Sequence, residues 1–492
     1  MKLTLHSESL RDGLFSRKST RVLGLSLAAV CFLFGCTVGP NYVRPPADVP
    51  TDFKEMGNWK PAHPSDQVTK GNWWEIYEDP QLNALEEQVD VSNQSLRAVQ
   101  EQYAQARAAI RISRADYYPT VAGGASATRT HVSSNNPLFV AKSPKSDYAD
   151  YTIPIDASWE PDLWGRVRRT VEASRSEAQA TAADVANVSL TLHAELAMDY
   201  FQLRGLDAQR NLLDSTVVAY EKALDLTQNR YKAGLASAVD VAQAETQLRT
   251  TRAQAIDVGV NRAAFEHAIA VLTGKPPSQF ALPSSPLRAA PPAIPPGLPS
   301  DLLERRPDIA ASERRMQESN AQIGVAKSAY YPLVTLTGSG GFESGVFTTL
   351  LQGPSGLWAI GAAASETIFE GGRRHAATAQ AQAAYRESID NYRQTVLSAF
   401  QEVEDNLAAL RILNDEEVVQ QSAVTSAEHS LALSINRYKG GIVNYLEVIT
   451  AQNAALSDEV TEVSILTRRM QASVLLVKAI GGSWSVSQIP RV

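Results

Sequence analysis

The chain has 492 residues, a formal net charge of −7 and 20% charged residues. This balance lacks the basic footprint of nucleic-acid-binding proteins, so no nucleic-acid partner is expected. The seven histidines are scattered without metal-ligand spacing, and the sequence contains no G-x-S-x-G motif or other nucleophile–base arrangement. An enzyme, a metal site and a bound cofactor are therefore not predicted.

The N-terminus resembles a bacterial lipoprotein signal. Its apolar run, Val22–Phe34, is shorter than the roughly 18 residues of a membrane helix and suits a secretory signal. Gly35 and then Cys36 follow this run. A small residue followed by cysteine is typical of lipoprotein signals, which are cleaved just before the cysteine. We predict that residues 1–35 are removed and that a lipid on Cys36 is the only attached group; an incidental cysteine is the alternative. Thr37, where inner-membrane lipoproteins carry Asp, favours the outer membrane.

A helix and a hairpin follow a Pro-rich, polar arm. Pro80–Tyr118 has no internal proline and is rich in Ala, Gln, Arg and Glu, which predicts a short helix ended by the Tyr-Pro step. Thr120–His131 and Tyr148–Trp159 alternate with an approximate period of two and contain many Thr, Val and Tyr residues. These two segments predict a β-hairpin with a long loop.

Two helices then run without proline as far as Lys275. Arg166–Lys232 predicts one helix of about 100 Å at ~1.5 Å per residue. Gly234 breaks it, and a second helix extends from Ser237 to about Leu272. A helix of this length exceeds the usual globular range, which indicates coiled-coil or helical-tube packing.

The same order of features occurs twice, which indicates a tandem duplication. Asn229–Gly234 reads NRYKAG and Asn436–Gly441 reads NRYKGG, and a Tyr-Tyr-Pro motif precedes each hairpin. The predicted organisation begins with a signal peptide (1–35) and an extended arm (36–80). A first repeat (81–275) has a hairpin at about 120–161 and long helices at about 166–232 and 237–272. After a Pro-rich linker (276–300), a second repeat (301–482) has a hairpin at about 333–369 and long helices at about 373–439 and 444–480, and a tail (483–492) follows.

The four predicted strands cannot close a sheet by themselves. If the chain spans a membrane it must do so with strands, and lipid does not tolerate an open sheet edge. The smallest closed outer-membrane sheets have about eight strands. Either these hairpins lie in a soluble sheet, or several chains pool them, and three chains would supply twelve strands. The Ala-rich helical hairpins also need neighbours on both flanks. Oligomerisation follows from this argument, whereas its stoichiometry does not.

The sequence resembles the outer membrane factor (TolC-like) superfamily, in the lipoprotein branch that serves tripartite RND-type efflux systems. The resemblance covers nearly everything after Cys36. It rests on Trp73-Trp74, the run Leu302–Ile309 (LLERRPDI), the segment Phe369–Arg373 (FEGGR), both Tyr-Tyr-Pro motifs and both NRYK turns.

The resemblance implies a mixed, mainly α fold with membrane β-structure. Each protomer would contribute four strands to a trimeric 12-stranded outer-membrane β-barrel and long helical hairpins to a periplasmic α-barrel. The implied function is the outer-membrane exit channel of a tripartite efflux pump, which conducts substrates passively and performs no chemistry. The implied partners are two further copies in a homotrimer, a periplasmic membrane-fusion adaptor, an inner-membrane RND-type transporter and outer-membrane lipid.

The same resemblance places the turns at Gly234 and Gly441 at the periplasmic tip, where the family narrows its pore. Glu447 matches a position that supplies an acidic ring in part of the family. Thr450, one turn later, matches a second position that is often acidic. A ring of carboxylates would favour cations, as charged selectivity rings do in channels.

Two further observations bear on the tip. Asp240 and Tyr438 match a pair that bonds across the closed tip in some relatives. Both acids also have capping-box spacing, as Ser237-x-x-Asp240 and Asn444-x-x-Glu447, which predicts a capping role at the start of each returning helix. Gating and capping do not exclude each other.

Two other functions compete with the efflux channel. A type I secretion conduit belongs to the same superfamily, and the lipoprotein signal argues against it only mildly. A periplasmic coiled-coil adaptor lipoprotein would also have a lipid anchor and helical hairpins, but it would carry one hairpin and not two with two strand pairs. The cargo and the cognate pump are not specified by the sequence.

Overall fold

The computed structural model describes residues 37–46, 49–56, 72–133, 147–294, 297 and 299–492. Its main helices are α1 (Pro80–Ser92), α2 (Gln94–Ala115), α3 (Arg166–Lys232), α4 (Ala238–Leu272), α5 (Pro307–Ser328), α6 (Arg373–Lys439) and α7 (Tyr445–Ala479). Its strands are β1 (Thr120–Gly123), β2 (Ser126–His131), β3 (Asp147–Trp159), β4 (Leu333–Ser344) and β5 (Gly356–Ser365). The mainly helical fold with a small sheet agrees with the predicted fold class.

The helix predicted from Pro80 to Tyr118 is in fact two helices that meet at Asn93. The Asn93 side chain accepts a hydrogen bond from the Leu96 N–H (2.9 Å) as the N-cap of α2. Its amide group donates to the Leu272 carbonyl at the end of α4 (2.8 Å). Asn side chains compete with the helical backbone for hydrogen bonds. Here the hydrogen bond from Asn93 to the Leu272 carbonyl, which is distant in sequence, stabilises the break between the helices.

The strands form one antiparallel sheet. β1 and β2 both pair with β3, β3 pairs with β4, and β4 pairs with β5. β1 and β2 keep the same register against β3 and are separated at Gly124 and Ala125, opposite Pro154. Proline has no N–H to donate, so the ladder is interrupted there, although Gly124 N–H still donates to the Pro154 carbonyl (3.0 Å).

The second hairpin is shorter than the predicted 333–369. β5 ends at Ser365, which pairs with Leu333, the first residue of β4. Pro332 precedes Leu333 and cannot extend the ladder, so residues 366–369 have no strand partner within the chain.

The two halves match element by element. A shift of 213 residues carries α2 onto α5, and a shift of 207 carries α3 onto α6 and α4 onto α7. These three pairs of helices have equal lengths of 22, 67 and 35 residues. The 13-residue helix α1, in contrast, has only the four-residue helix Leu302–Arg305 at the corresponding place in the second half.

The core lies where the short helices, the start of the arm and the middle of the long helices meet. Its largest fully buried side chains include Tyr200, Tyr392 and Met316. Arg306 from the LLERRPDI run ties this region together, because its guanidinium pairs with Asp308 and Glu402 and donates to the Ala479 carbonyl at the end of α7 (3.0 Å). The run therefore anchors the start of α5.

Candidate functional site

Successive side chains of a strand alternate between the two faces of a sheet. One face of this sheet is mostly apolar, with Arg129, His131 and Asp147 at its far end, and the other is mostly polar. The register places the following side chains on one face: Val121, Ile155, Trp159, Leu336, Trp358 and Ile360. Most of this face is uncovered, with Trp358 80% and Ile360 83% exposed. The other face is mostly polar and carries Thr120, Ser126, Thr128, Thr152, Asp156, Ser158, Thr337 and Ser339. An exposed apolar face of this size needs a partner or an apolar medium.

The junction between the sheet and the long helices is built from aromatic side chains and the N-terminal arm. Trp164 stacks on Tyr331 with ring centroids 4.9 Å apart, and its indole N–H donates to the Pro332 carbonyl (2.8 Å). The arm reaches the same junction, since Val38 N–H donates to the Trp164 carbonyl (3.0 Å). The buried Arg169 holds the arm through the Val38 carbonyl (3.2 Å). Cys36 lies outside the described residues.

At the other end of the molecule, both NRYK segments close their long helices in the same way. Gly234 and Gly441 have φ of 75° and 73°, in the left-handed region that favours glycine. Leu235 N–H donates to the Arg230 carbonyl (2.8 Å), and Ile442 N–H donates to the Arg437 carbonyl (3.0 Å). Each of these hydrogen bonds runs from the N–H of residue i+5 to the carbonyl of residue i, as in a Schellman motif. Each turn is therefore a defined helix C-terminus.

The two returning helices are capped differently. Ser237 and Asp240 form the predicted capping box, with the Asp240 N–H donating to Ser237 Oγ (3.1 Å) and the Ser237 N–H donating to the Asp240 carboxylate (2.9 Å). The second predicted capping box is absent: the Asn444 side chain makes no capping hydrogen bond. Glu447 instead forms an ion pair with Arg437 on the preceding helix. The Arg437 guanidinium binds the Glu447 carboxylate more strongly than a backbone N–H would. The predicted capping box at Asn444 and Glu447 was therefore wrong.

Three contacts, two of them made by Arg230, join the tips of the two halves. The Arg230 guanidinium lies over the Tyr438 ring, 4.8 Å from its centroid, and donates to the Lys439 carbonyl (2.8 Å). The Tyr445 N–H donates to Asp240 Oδ1 across a long hydrogen bond of 3.4 Å. The structure therefore connects Asp240 to the second half through a backbone amide, and no bond joins its carboxylate to Tyr438 within the chain.

Beneath these polar contacts lies a small apolar cluster. Tyr438 and Tyr445 pack edge to face with centroids 5.2 Å apart, together with Ala244 and Val448. Burial raises the pKa of Tyr445 to about 12, so this phenol stays neutral at physiological pH. The Tyr438 hydroxyl is buried and has no hydrogen-bond partner among the described residues.

The remaining predicted tip residues are exposed. Thr450 is exposed, and its hydroxyl donates to the Leu446 carbonyl (3.0 Å), while Gly234 and Gly441 lie uncovered at the turns. The Glu447 side chain is 35% exposed despite its ion pair. Both acids at this tip are therefore partly exposed and engaged: Asp240 by its capping box and the Tyr445 N–H, and Glu447 by Arg437.

The family model for outer membrane efflux proteins matches residues 85–275 and 298–482, which is most of the chain. The chain belongs to the outer membrane efflux protein family. It is 31% identical over 473 residues to the probable efflux pump outer membrane protein SepC of Pseudomonas putida, covering 94% of this chain and 96% of SepC. It is also 31% identical to the outer membrane protein OprJ of Pseudomonas aeruginosa, with the same coverage of both chains. Its fold resembles the crystal structure of the CmeC outer membrane channel of Campylobacter jejuni with a TM-score of 0.84, 26% identity and coverage of 92% of this chain and 96% of that one.

These similarities confirm the predicted family, the predicted function as an outer-membrane efflux channel and the predicted outer-membrane location. The family is one of transport channels and not of enzymes. Within the described residues of this outer membrane efflux protein, no helix combines the length and apolar character needed to cross a membrane. In the same residues no group of three or more His, Cys, Asp and Glu side chains is arranged to hold a metal ion.

Sequence reasoning missed two features of this outer membrane efflux protein. The first is Arg230, which was visible as the shared arginine of both NRYK motifs. The second is a buried polar cluster in which His193 contacts Glu86 (2.7 Å) and Asp90 (3.1 Å) and stacks on Trp74 with centroids 4.3 Å apart. No spacing in the sequence indicated it, because its members come from three separate segments.

Proposed function

We propose that three copies of this chain form the exit conduit of a tripartite efflux pump, with the sheet in the outer membrane and the long helices in the periplasm. The observation that carries this proposal is the sheet with one exposed apolar face, one polar face and two unpaired edges, placed at one end of two 67-residue helices. The apolar face suits lipid and the polar face suits an aqueous lumen. Because β1 and β2 continue one another along the same edge of β3, each copy contributes four strand positions. Pairing of the free edges between three copies would therefore give a closed sheet of twelve strands.

The conduit conducts passively and carries out no chemical step. Its periplasmic end is the tip at Gly234 and Gly441, which meets a membrane-fusion adaptor and, through it, an inner-membrane RND-type transporter. Asp240, Tyr438, Glu447 and Thr450 line or brace the constriction there. The cross-half contacts at the tip support this assignment, because a gate requires hairpins whose relative position is held by a few weak bonds.

The chain is also held in the membrane by a lipid on Cys36. The described arm begins at Thr37, which lies so close to Gly165 that a Cβ on that glycine would be 2.9 Å from the Thr37 Cα. The position of Thr37 at the junction of sheet and helices supports a lipid anchor on the residue before it. Cys36→Ser should abolish incorporation of labelled palmitate; an unlabelled wild-type chain would rule the anchor out.

Planar-bilayer recording tests the channel itself. The purified chain should migrate as a trimer after cross-linking and conduct ions in steps, and the untreated protein should fractionate with outer membranes. A chain that stays monomeric, never sediments with outer membranes and shows no conductance would overturn the proposal. A type I secretion role would instead appear as loss of an exported protein, with solute efflux unchanged, in a strain that lacks the chain.

A further inference from the structure

The apolar face of the sheet is not flat at the end that joins the long helices. A groove of about 390 Å³ crosses β3, β4 and β5 at this end. Its lining includes Pro119, Ala157, Trp159, Leu336, Gly338 and Ile360. The volume lies within the roughly 300–1,000 Å³ that is typical of ligand-binding pockets. The groove is therefore large enough to hold part of a small molecule.

Gly338 forms the floor of this groove. It pairs with Ala157 on one side and with Ile360 on the other, so two small residues lie beside an exposed apolar side chain. A Cβ on Gly338 would have nothing within 4 Å. Trp159 and Leu336 pair with each other in the next row towards the helices. The groove is thus a gap left by small residues between larger apolar ones, a shape that suits a flexible hydrocarbon chain.

Trp159 marks the end of the groove that is nearest the helices. Its indole N–H donates to the Tyr117 carbonyl (3.0 Å). The next side chain, Tyr118, is 72% exposed. Trp and Tyr side chains, which have one apolar and one polar end, are enriched where hydrocarbon meets the lipid headgroups. In the proposed orientation, this end of the groove lies at the headgroups of the periplasmic leaflet.

Two arginine side chains lie close to this end. The hydroxyl groups of Ser113 on α2 and Ser174 on α3 are hydrogen-bonded (2.7 Å), which brings the two helices together just below the sheet. Arg114 and Arg175 are the residues that follow these serines. Arg175 is exposed and Arg114 is half-buried. Both guanidinium groups therefore belong to one contact between α2 and α3.

The Tyr117 phenol shows that these positive charges reach the end of the groove. Burial and Asp162 raise its pKa, whereas the charges of Arg175, Arg168 and Arg114 lower it in part. In the described chain Arg168 is paired with Asp162 (3.0 Å), whereas Arg114 and Arg175 form no ion pair. Two cations without an acidic partner thus lie beside an apolar groove.

We propose that the groove and these two arginines bind one anionic glycerophospholipid, with an acyl chain over Gly338 and the phosphate between Arg114 and Arg175. The inference rests on the proposed position of the sheet in the outer membrane and adds a specific lipid. Guanidinium groups bind phosphate oxygens through charged hydrogen bonds. Two adjacent cations repel a headgroup that carries its own ammonium group, so phosphatidylglycerol should bind more tightly than phosphatidylcholine.

The other candidate occupant is the protein's own acyl chain on Cys36. A diacylglycerol on this cysteine carries no phosphate, so it would fill the groove and leave both arginines without a partner. Charge complementarity therefore favours a free phospholipid, which supplies the acyl chain and the anion together.

Native mass spectrometry of the purified full-length protein tests the headgroup site. The protein in detergent is titrated with phosphatidylglycerol or phosphatidylcholine of the same acyl chains, and the wild type should bind up to three molecules of phosphatidylglycerol per trimer in preference. Arg114→Gln with Arg175→Gln should raise the phosphatidylglycerol concentration for half occupancy about tenfold and remove the preference. Arg249→Gln with Arg252→Gln removes two charges from exposed ion pairs on α4 and is the matched control, with no change expected.

A second pair of variants tests the groove. Gly338→Leu places a side chain where the groove is empty, so it should weaken the binding of both lipids and keep the preference between them. Gly340→Leu is the matched control. It lies two residues further along β4 on the same face and outside the groove, its Cβ would make only an ordinary contact of 3.8 Å, and lipid binding should be unchanged. If Gly338→Leu does not form trimers, the arginine variant decides alone.

Three results would overturn the lipid site: equal binding of the two lipids by the wild type, binding in the arginine variant or in trimeric Gly338→Leu that matches the wild type, or more bound phosphatidylglycerol in Cys36→Ser. The last result would show that the protein's own acyl chain fills the groove. Bilayer conductance of the same preparations separates this site from the conduit. Trimers that conduct but show no lipid preference refute only the lipid site, whereas monomers without conductance refute both.

Discussion

The guanidinium of Arg230 lies on the ring of Tyr438, with 4.8 Å between the guanidinium carbon and the ring centroid, and so joins the ends of two helices that are 207 residues apart in sequence. The same guanidinium donates to the Lys439 carbonyl at the exposed end of the second long helix (2.8 Å). The tip is otherwise held by one small apolar cluster and one long hydrogen bond. At the turns themselves, the Arg230 side chain therefore makes two of the contacts between the hairpins.

Removal of this contact should loosen the tip. Arg230→Ala loses a cation–π contact and a charged hydrogen bond, together about 1–3 kcal/mol. If the tip is the gate, the variant should raise the open probability in planar bilayers by roughly tenfold. Tyr438→Ala should act in the same direction, whereas Tyr438→Phe keeps the ring and loses only a hydroxyl that has no partner in the described chain. An Arg230→Ala channel with wild-type gating would contradict this role.

Glu447 should set the charge preference of the channel. In the proposed trimer, three copies of this carboxylate near the axis would favour cations, and the ion pair with Arg437 would screen each of them in part. Glu447→Gln should lower the cation-to-anion permeability ratio, and Arg437→Gln should raise it. The ratio comes from reversal potentials in asymmetric salt. Thr450→Gln, one turn away, is the control that changes no charge. An unchanged permeability ratio in Glu447→Gln would contradict the assignment.

The His193 cluster should make folding stability fall as pH rises. Burial alone would lower the pKa of His193, but hydrogen bonds to Asp90 and Glu86 outweigh it and raise the pKa to about 9. Burial raises the pKa of Glu86 to about 7. Both groups therefore bind protons more tightly in the folded state. The Glu86 contribution is lost between about pH 4.5 and 7, and the His193 contribution between about pH 6.5 and 9.

Thermal unfolding at pH 6 and pH 9 measures this effect. The wild-type protein should be less stable at pH 9, by about 1–3 kcal/mol from this cluster. Because His193 holds down the pKa of Glu86, both groups must be replaced together: Glu86→Gln with His193→Gln should remove most of the difference between the two pH values while lowering stability at pH 6. The exposed His131, paired with Asp147 at the far end of the sheet, is the control position, and His131→Gln should leave the difference unchanged. Equal pH dependence in this double variant and the wild type would contradict the assignment.

Gly274 lies just after α4, where the chain contacts Ser92 at the end of α1. Its φ is 71°, and a Cβ at this position would be 2.4 Å from the Ser92 carbonyl oxygen. Gly274→Ala should therefore destabilise the fold by about 1–3 kcal/mol, read as a lower unfolding temperature. Gly353→Ala adds a methyl group where nothing lies within 4 Å and should change stability by less than about 0.5 kcal/mol. Equal melting temperatures for the two variants would show that the backbone at Gly274 can relax.

Much of the fold follows from local patterns. Long proline-free runs predict the helices Arg166–Lys232 and Arg373–Lys439, because proline is the strongest interruption of a helix. Alternation of polar and apolar residues predicts the hairpins, since it reflects the two faces of a strand. The repeated motifs expose the duplication and, through the family resemblance, the efflux function.

Other features depend on side chains that meet from distant parts of the chain. Asn93 breaks a predicted helix because the Leu272 carbonyl lies beside it, and Glu447 leaves its predicted capping position because Arg437 is within reach. Arg230 and Tyr438 join the tips because the packing of the two helical hairpins brings these side chains into contact. The sequence by itself therefore determined the elements, their duplication and the family, since these depend on backbone propensity and periodicity. Only the tertiary structure decided which charge meets which partner, because that depends on distances between residues hundreds of positions apart.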